Sequence, residues 1–308
     1  KACGSSLKAV ILAAQSILLG EVEIVVAGGT ESMSTAPYYV RRARWGQRLG
    51  HGELEDAILA DGLTCPITFV HMGVTAEHIA QKYGISREEQ DLFALKSQEK
   101  ALAALKGGKF QAEVVPVLIP QPKGEPILFT RDEHPRETSL EKLAKLKPVF
   151  KEGGMITAGN ASGINDGAAA VVVTSMKKAK QLGLKPLAVI RSWASAGVDP
   201  AFMGMGPVPA SQKALKKAGL KPEDIDLYEI HEAFAAQVLG VLREFPVPPE
   251  KLNVHGGGIA LGHPIGASGA RILTTLLYAL QDRGGRYGLA TGCIGGGQGI
   301  AMVVERLA

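Results

Sequence analysis

The sequence predicts a layered α/β protein with a duplicated organisation and an irregular insertion. From Ala168 onward, short apolar runs alternate with amphipathic stretches, the signature of strands layered against helices. Near each end of the chain a Gly/Ser turn, a helix, a glycine stop and a strand follow in the same order, once from Gly4-Ser5-Ser6 to Gly28-Gly29 and once from Gly266-Ala267-Ser268-Gly269 to Gly292. Between them, residues 35–155 obey no simple βα repeat. A length of 308 residues also favours two domain-sized units, because single cores stop growing near ~250–300 residues.

Taken in order, Leu7, Val10, Ile11, Ala14 and Leu18 recur at helical spacing, Gly20 suits a C-terminal stop, and Val22 to Ala27 follows as a strand. Arg41, Arg42, Arg44 and Arg48 then form a basic stretch that reads as a solvated or subunit-facing loop. Ser86-Arg87-Glu88-Glu89 is a capping box that opens a helix through Leu92, Leu95, Leu102 and Leu105, closed by Gly107-Gly108. Val114 to Phe129 holds strand-like runs broken by Pro and Gly. Ala168 to Thr174 reads as a fully buried strand. Next come a helix (176–182), a strand (188–194), a helix (210–218), a strand (226–230) and a helix (233–245). The tail adds a helix (267–282), a strand (286–291), a glycine cluster and a last strand (300–306).

Composition narrows the function. With 46% hydrophobic residues, 21% charged residues and a mean hydropathy of +0.10, the chain is an ordinary globular one. Its net charge of +4 does not suggest a nucleic-acid binder but is compatible with an anionic small ligand. Cys3, Cys65 and Cys293 are odd in number, far apart and without C-x-x-C spacing, which argues against a disulfide framework or a structural zinc and for a reducing compartment. The longest apolar stretch, 9–29, is too interrupted by polar residues and glycine to span a bilayer, and no signal peptide opens the chain. Neither a P-loop nor a strand–G-x-G-x-x-G–helix is present, which disfavours nucleotide hydrolysis and NAD chemistry. Glycine is in excess: 38 residues, about 12% against a usual ~7%. Fourteen of them fall between residues 256 and 299, around His263 and Cys293.

That region can carry chemistry. Cys3 precedes a helix whose free N–H groups and positive dipole end favour a thiolate, although a free Cys is more commonly a small buried hydrophobe. His263 sits on a glycine-walled turn before a second helix, where an imidazole can act as base and a substrate can approach the backbone. Cys293 ends a strand ahead of Gly295-Gly296-Gly297, whose N–H groups could line an oxyanion hole. His231 lies at a strand–helix junction and reads equally as a catalytic group or as a donor to a nearby carbonyl. A nucleophilic thiol, a base, a second thiol and oxyanion donors together suit acyl transfer through a thioester.

Seven ordered motifs resemble the thiolase family across essentially the whole chain: Cys3-Gly4-Ser5-Ser6, the run from Gly28 to Ser34, the run from His71 to Glu77, the run from Gly159 to Gly167, His231-Glu232-Ala233-Phe234, the run from Gly262 to Gly269, and Cys293 to Gly297. The resemblance implies a thiolase-like fold of duplicated α/β/α layered domains with an inserted loop domain. Residues 1–34 and 156–185 would belong to the N-terminal domain, 35–155 to the loop domain and 186–308 to the C-terminal domain. It implies an acyltransferase that condenses acetyl-CoA or cleaves 3-ketoacyl-CoA, with CoA thioesters as substrates and no permanently bound cofactor or metal. Cys3 would be the nucleophile, His263 its base, Cys293 the group that moves the α-carbon proton, and the backbone N–H groups of Cys3 and Gly295 an oxyanion hole. His231 stands where many members carry an Asn that holds a water. Ser162, His71, Met72, Ala233 and Phe234 would line the pantetheine arm of CoA, with Arg136 near its nucleotide end. A homodimer or homotetramer, a cytoplasmic setting (an organelle matrix if eukaryotic) and a place in fatty acid metabolism are likewise implied.

Three departures accompany the resemblance. His231 matches branches acting on longer chains, whereas His71-Met72-Gly73 matches the short-chain branch, and Gln298 replaces a common Met. The largest is at the front, where only Lys1 and Ala2 precede the nucleophile and the family carries several βα elements. The isolated 308-residue polypeptide is therefore expected to be poorly folded and inactive, an expectation that a single 32.3 kDa species with full thiolysis activity would overturn. A ketoacyl synthase is disfavoured because it would pair Cys with two His. The alternative from another class is a non-catalytic acyl-CoA-binding or scaffold subunit.

Overall fold

A computed structural model describes residues 1–307. Residue 308, the last of the expected C-terminal domain, lies outside the described residues. A short turn over Ala2–Gly4 leads directly into α1 (Ser5–Leu18), which buries Leu7, Val10, Ile11 and Ala14 on one face and leaves Leu12 and Leu18 exposed. Gly20 takes the positive φ that ends the helix, as its spacing predicts, and β1 (Ile24–Glu31) follows.

Residues 35–155 follow no βα repeat. They hold a two-residue ladder of β2 (Tyr38–Tyr39) with β3 (Glu55–Asp56), a π-helical turn over Ile58–Leu63, then α2 (Met72–Tyr83) and α3 (Arg87–Lys106). The capping box is formed in both directions: Ser86 Oγ accepts from Glu89 N, and Ser86 N donates to Glu89 Oε2. The runs broken by Pro and Gly become a small hairpin of β4 (Val117–Ile119) and β5 (Ile127–Phe129), followed by α4 (Leu140–Ala144). Arg41 of the basic stretch is exposed and pairs with Glu55.

The chain then runs through β6 (Gly167–Thr174), α5 (Met176–Gln181), β7 (Ala188–Gly197), α6 (Pro207–Ala218), β8 (Leu227–Ile230), α7 (Ala235–Glu244), α8 (Gly258–Leu261), α9 (Ser268–Arg283), β9 (Tyr287–Ile294) and β10 (Gln298–Arg306). Strands β7, β10, β9 and β8 form one four-stranded sheet in that order, antiparallel except for the β8–β9 pair. Its two central strands are almost wholly buried because apolar clusters cover both faces: α2, α6 and α7 supply one, α1 and α9 the other. Burying Ile272, Leu276 and Leu280 of α9 contributes roughly 1.5–3 kcal/mol each.

Two expectations need correction. Ala168 to Thr174 is not fully buried: among the described residues β6 pairs antiparallel with β1 alone, and its side chains alternate, with Val172 63% exposed. An apolar run by itself does not reveal how many faces are covered. The strand expected over 286–291 also runs three residues further, to Ile294, which keeps Cys293 at its end.

The echo between the two ends is real in space. Each copy is a helix followed by a strand that pairs antiparallel with a later one: α1, β1 and β6 in one, α9, β9 and β10 in the other. The two helices pack on each other with their N-termini together. At that seam Ser6 Oγ accepts from Ala270 N at 2.8 Å, so a hydroxyl of one copy shares with Ala267 O an N–H in the first turn of the other. Gly269 lies against Leu7, where a Cβ would meet the Leu7 backbone N at 2.6 Å.

Candidate active site

The seam brings Cys3 and His263 together across 260 residues of sequence. Cys3 precedes α1, and the residue before it, Ala2, holds φ +40°, in the left-handed region. His263 Nε2 lies 3.3 Å from Cys3 Sγ. The hydrogen bonds of the other ring nitrogen fix the tautomer. Ser268 Oγ has one proton and donates it to Pro264 O at 2.9 Å, so at 2.6 Å it accepts from His263 Nδ1–H. Nε2 is then the bare nitrogen, facing the thiol. Burial pushes the His263 ring down to about 3, with the Arg271 cation adding to the effect, so the imidazole is neutral and able to take a proton.

Burial also pushes the Cys3 thiol up, while the backbone N–H groups of Gly295 and of Cys3 itself act against that rise by favouring the thiolate. These are the two donors expected to form an oxyanion hole. The resting pair is therefore a thiol beside a neutral imidazole, with the proton transferred as the nucleophile attacks. Cys293 is 1% exposed, and its thiol is raised by burial and by the neighbouring Cys3 sulfur. A strongly raised thiol keeps its proton until it faces a strong base such as a carbanion.

His231 stands behind His263, ring centroids 4.1 Å apart. It is buried, held neutral by desolvation, and neither ring nitrogen has a partner. Orphaned polar atoms at such depth point to a group that waits for a ligand or water. This weakens the reading of His231 as a donor to a nearby carbonyl. The following Glu232 is gripped by Ser97 Oγ at 2.6 Å, Asn253 Nδ2 at 2.7 Å and Ile259 N at 3.2 Å, which pins the turn carrying His231.

His71 caps α2, accepting from Gly73 N at Nδ1, and its ring stacks on Phe150 at 4.5 Å; Phe150 in turn meets Phe234 edge-on at 6.0 Å. Met72 lies against Gly295. Ser162 N donates to Ala233 O at 3.0 Å, tying the Gly159–Gly167 run to the His231–Phe234 run. Five of the expected substrate-binding residues thus fall into two neighbouring groups, Met72 with His71 and Ser162 with Ala233 and Phe234, linked through Phe150. Arg136 stands apart: it is exposed, and its hydrogen bonds go to Gln98 and His134 rather than to any catalytic residue. Cys65 is fully buried in the core.

Sequence reasoning missed several supporting residues. Ser268 orients His263 and was readable only as a helix-start serine. Asn165, inside a quoted motif, accepts from His263 N at 3.2 Å, and its side chain occupies the space beside Gly262, which at φ +88° has no room for a Cβ. Phe150 and Asn253 carry no signal in their local sequence. Among the described residues, no group of three or more His, Cys, Asp and Glu could hold a metal ion, and no helix is long and apolar enough to cross a membrane.

A thiol under a bare imidazole nitrogen, with amide N–H groups at the sulfur and a second thiol nearby, defines an enzyme of acyl transfer through cysteine. Comparison with known proteins places it more closely. Residues 1–177 match the model of the thiolase N-terminal domain, and residues 184–306 that of the thiolase C-terminal domain. An acetyl-CoA acetyltransferase of Chromobacterium violaceum is 58% identical over 305 residues, 99% of this chain and 78% of the relative. The crystal structure of the Bacillus anthracis acetyl-CoA acetyltransferase superposes with a TM-score of 0.96 at 49% identity, covering 99% of this chain and 77% of that one. The human mitochondrial 3-ketoacyl-CoA thiolase, crystallised in complex with CoA, gives 0.95 at 47% identity, covering 100% and 77%. The chain belongs to the thiolase family and is an acyltransferase.

Proposed function

We propose that the chain condenses acetyl-CoA or cleaves 3-ketoacyl-CoA with Cys3, His263 and Cys293 in the roles that the resemblance implies. The observation that carries this reading is the bare Nε2 of His263 at 3.3 Å from Cys3 Sγ, fixed by the Ser268–Pro264 hydrogen bond. In the synthetic direction the Cys3 proton passes to His263, the sulfur adds to the thioester carbonyl, and the oxyanion meets the N–H groups of Cys3 and Gly295. CoA leaves with the Cys293 proton, and the acyl group stays on Cys3. The Cys293 thiolate so formed takes an α-proton from a second acetyl-CoA, and the carbanion attacks the acyl carbon and expels the Cys3 thiolate, which recovers its proton from His263. Cleavage is the reverse: Cys3 adds to the 3-keto carbon, the C2–C3 bond breaks, and Cys293 protonates the departing carbanion. His231 places an N–H or a held water at the second carbonyl oxygen.

CoA would run past Met72, His71, Phe234, Ala233 and Ser162, with Arg136 at the nucleotide end, and no cofactor would be bound permanently. The proposal extends to the domain boundaries stated above, to a homo-oligomer such as a homotetramer, to fatty acid metabolism and to a cytoplasmic setting. Incubating the intact protein with acetyl-CoA should add one acetyl group, seen by mass, and Cys3→Ala should abolish it; labelling retained at another residue would refute the assignment. A series of 3-ketoacyl-CoA chain lengths decides between the His231 and His71-Met72-Gly73 cues.

A further inference from the structure

Away from Cys3, a groove of about 290 Å³ opens between α3 and α7. Its walls are apolar: Leu92 and Phe93 from α3, Leu239 and Leu242 from α7, and Val247 and Leu252 from the segment after α7. The polar groups at its floor are already engaged, since Ser97 Oγ and Asn253 Nδ2 both donate to Glu232. The charged groups around it are unevenly paired. Glu89 at the rim is held by Arg243 at 2.8 Å. Lys96 and Lys100, one helical turn apart on α3, are in no ion pair among the described residues. Lys96 is exposed, while Lys100 is drawn inward, its Nζ donating to Leu252 O at 2.7 Å and Pro249 O at 3.4 Å.

We propose that this groove binds an amphipathic carboxylate, a medium-length alkyl chain lying along the six apolar side chains with its carboxylate at Lys96 and Lys100. Charge complementarity selects the class. A neutral alkane would gain nothing from the two ammonium groups, and an alkylammonium would meet like charge. A carboxylate would also offset the desolvation that lowers the Lys100 ammonium. The volume lies at the lower end of small-ligand pockets, about 300–1,000 Å³, and suits one chain rather than a bulky ligand.

Octanoate titrated calorimetrically into the intact protein, with CoA saturating the catalytic site, is expected to bind at one site per chain. Lys96→Glu should weaken it by about tenfold or more, the scale of one charge-assisted contact. Leu242→Trp, which fills the groove, should abolish it, and both variants should keep the parent thiolysis rate. Lys96 is exposed, so its variant tests the site even if Leu242→Trp disturbs packing. The assignment is overturned by failure of octanoate to bind at millimolar concentration, by displacement of octanoate with CoA, by unchanged affinity in Lys96→Glu, or by octylammonium binding equally well. A concentration-dependent dimer that Leu242→Trp dissociates would also overturn it, since a second copy would then cover the groove. None of these outcomes depends on whether Cys3 is the nucleophile.

Discussion

The two helix–strand copies differ in what surrounds them. The C-terminal copy, α9 with β9 and β10, sits in a four-stranded sheet with apolar cores on both faces. In the N-terminal copy, α1 with β1 and β6, the described residues form only a two-stranded ladder, and Val26 and Val172 on its outer face are 73% and 63% exposed. Yet both deliver a reactive group to the same point, because each places it just before its helix and the helices lock together at their first turns. Within the described residues, the α1–α9 seam sets the nucleophile against His263.

This contrast can be broken from either side. The largest effect should come from the thiols, one from each copy. Cys3→Ala should remove acylation and turnover together, by about 10⁴-fold or more, as removal of a nucleophile does. Cys293→Ala should retain acetylation of Cys3 by acetyl-CoA while condensation falls by roughly 10²–10⁴-fold, the scale of a lost general acid–base group. Mass spectrometry of the acyl-enzyme beside steady-state rates separates them; loss of acylation in Cys293→Ala would show that the division of labour is wrong.

Next is the seam itself. Gly269→Val drives a side chain into Leu7 and should cost about 1–3 kcal/mol of stability, measured by denaturant unfolding, with a fall in kcat as Cys3 moves from His263. If stability drops and kcat is unchanged, the seam does not position the nucleophile. A smaller change is expected for Ser268→Ala, about tenfold in acylation rate, for the loss of the hydrogen bond that fixes the His263 tautomer. Single-turnover acylation against chain-length-independent binding of CoA would distinguish it from a general loss of fold.

The smallest effect concerns Glu113, which the segment after α3 inserts beside Thr275 and Arg271 of α9. Burial raises its carboxyl to about 7, above the ordinary 4.5, so the proton it holds stabilises the folded state below about pH 4.5 and that contribution is lost as pH rises through 7. Glu113→Gln, which cannot ionise, should therefore unfold at a higher temperature than the parent at pH 8, by about 2–4 °C per ~1 kcal/mol, and match it at pH 4. An equal difference at both values would sink the account.

Much of this was legible in the chain. The α3 capping box, the Gly20 stop and the Cys3–helix and His263–helix junctions are local events, set by a few neighbouring residues, and the structure holds each where its spacing predicts. The exposure of β6 was not legible, because three valines in a row look the same whether one face is covered or two. Nor was the pairing of Ser268 with Pro264, since a hydroxyl five residues from a histidine shows no direction in the sequence.

What the sequence determined by itself was the inventory and its local geometry: two thiols, two imidazoles, glycine-walled turns and helices starting directly after the reactive residues. Capping, φ preference and periodicity act over a few residues and are written there. Only the tertiary structure decided that Cys3 and His263 stand 3.3 Å apart, that Nε2 is the bare nitrogen, and that His231 packs against His263 with neither nitrogen partnered among the described residues. The first rests on a contact across 260 positions, and the other two on side-chain directions that packing sets. Helix packing and burial create such contacts, and no local pattern encodes them.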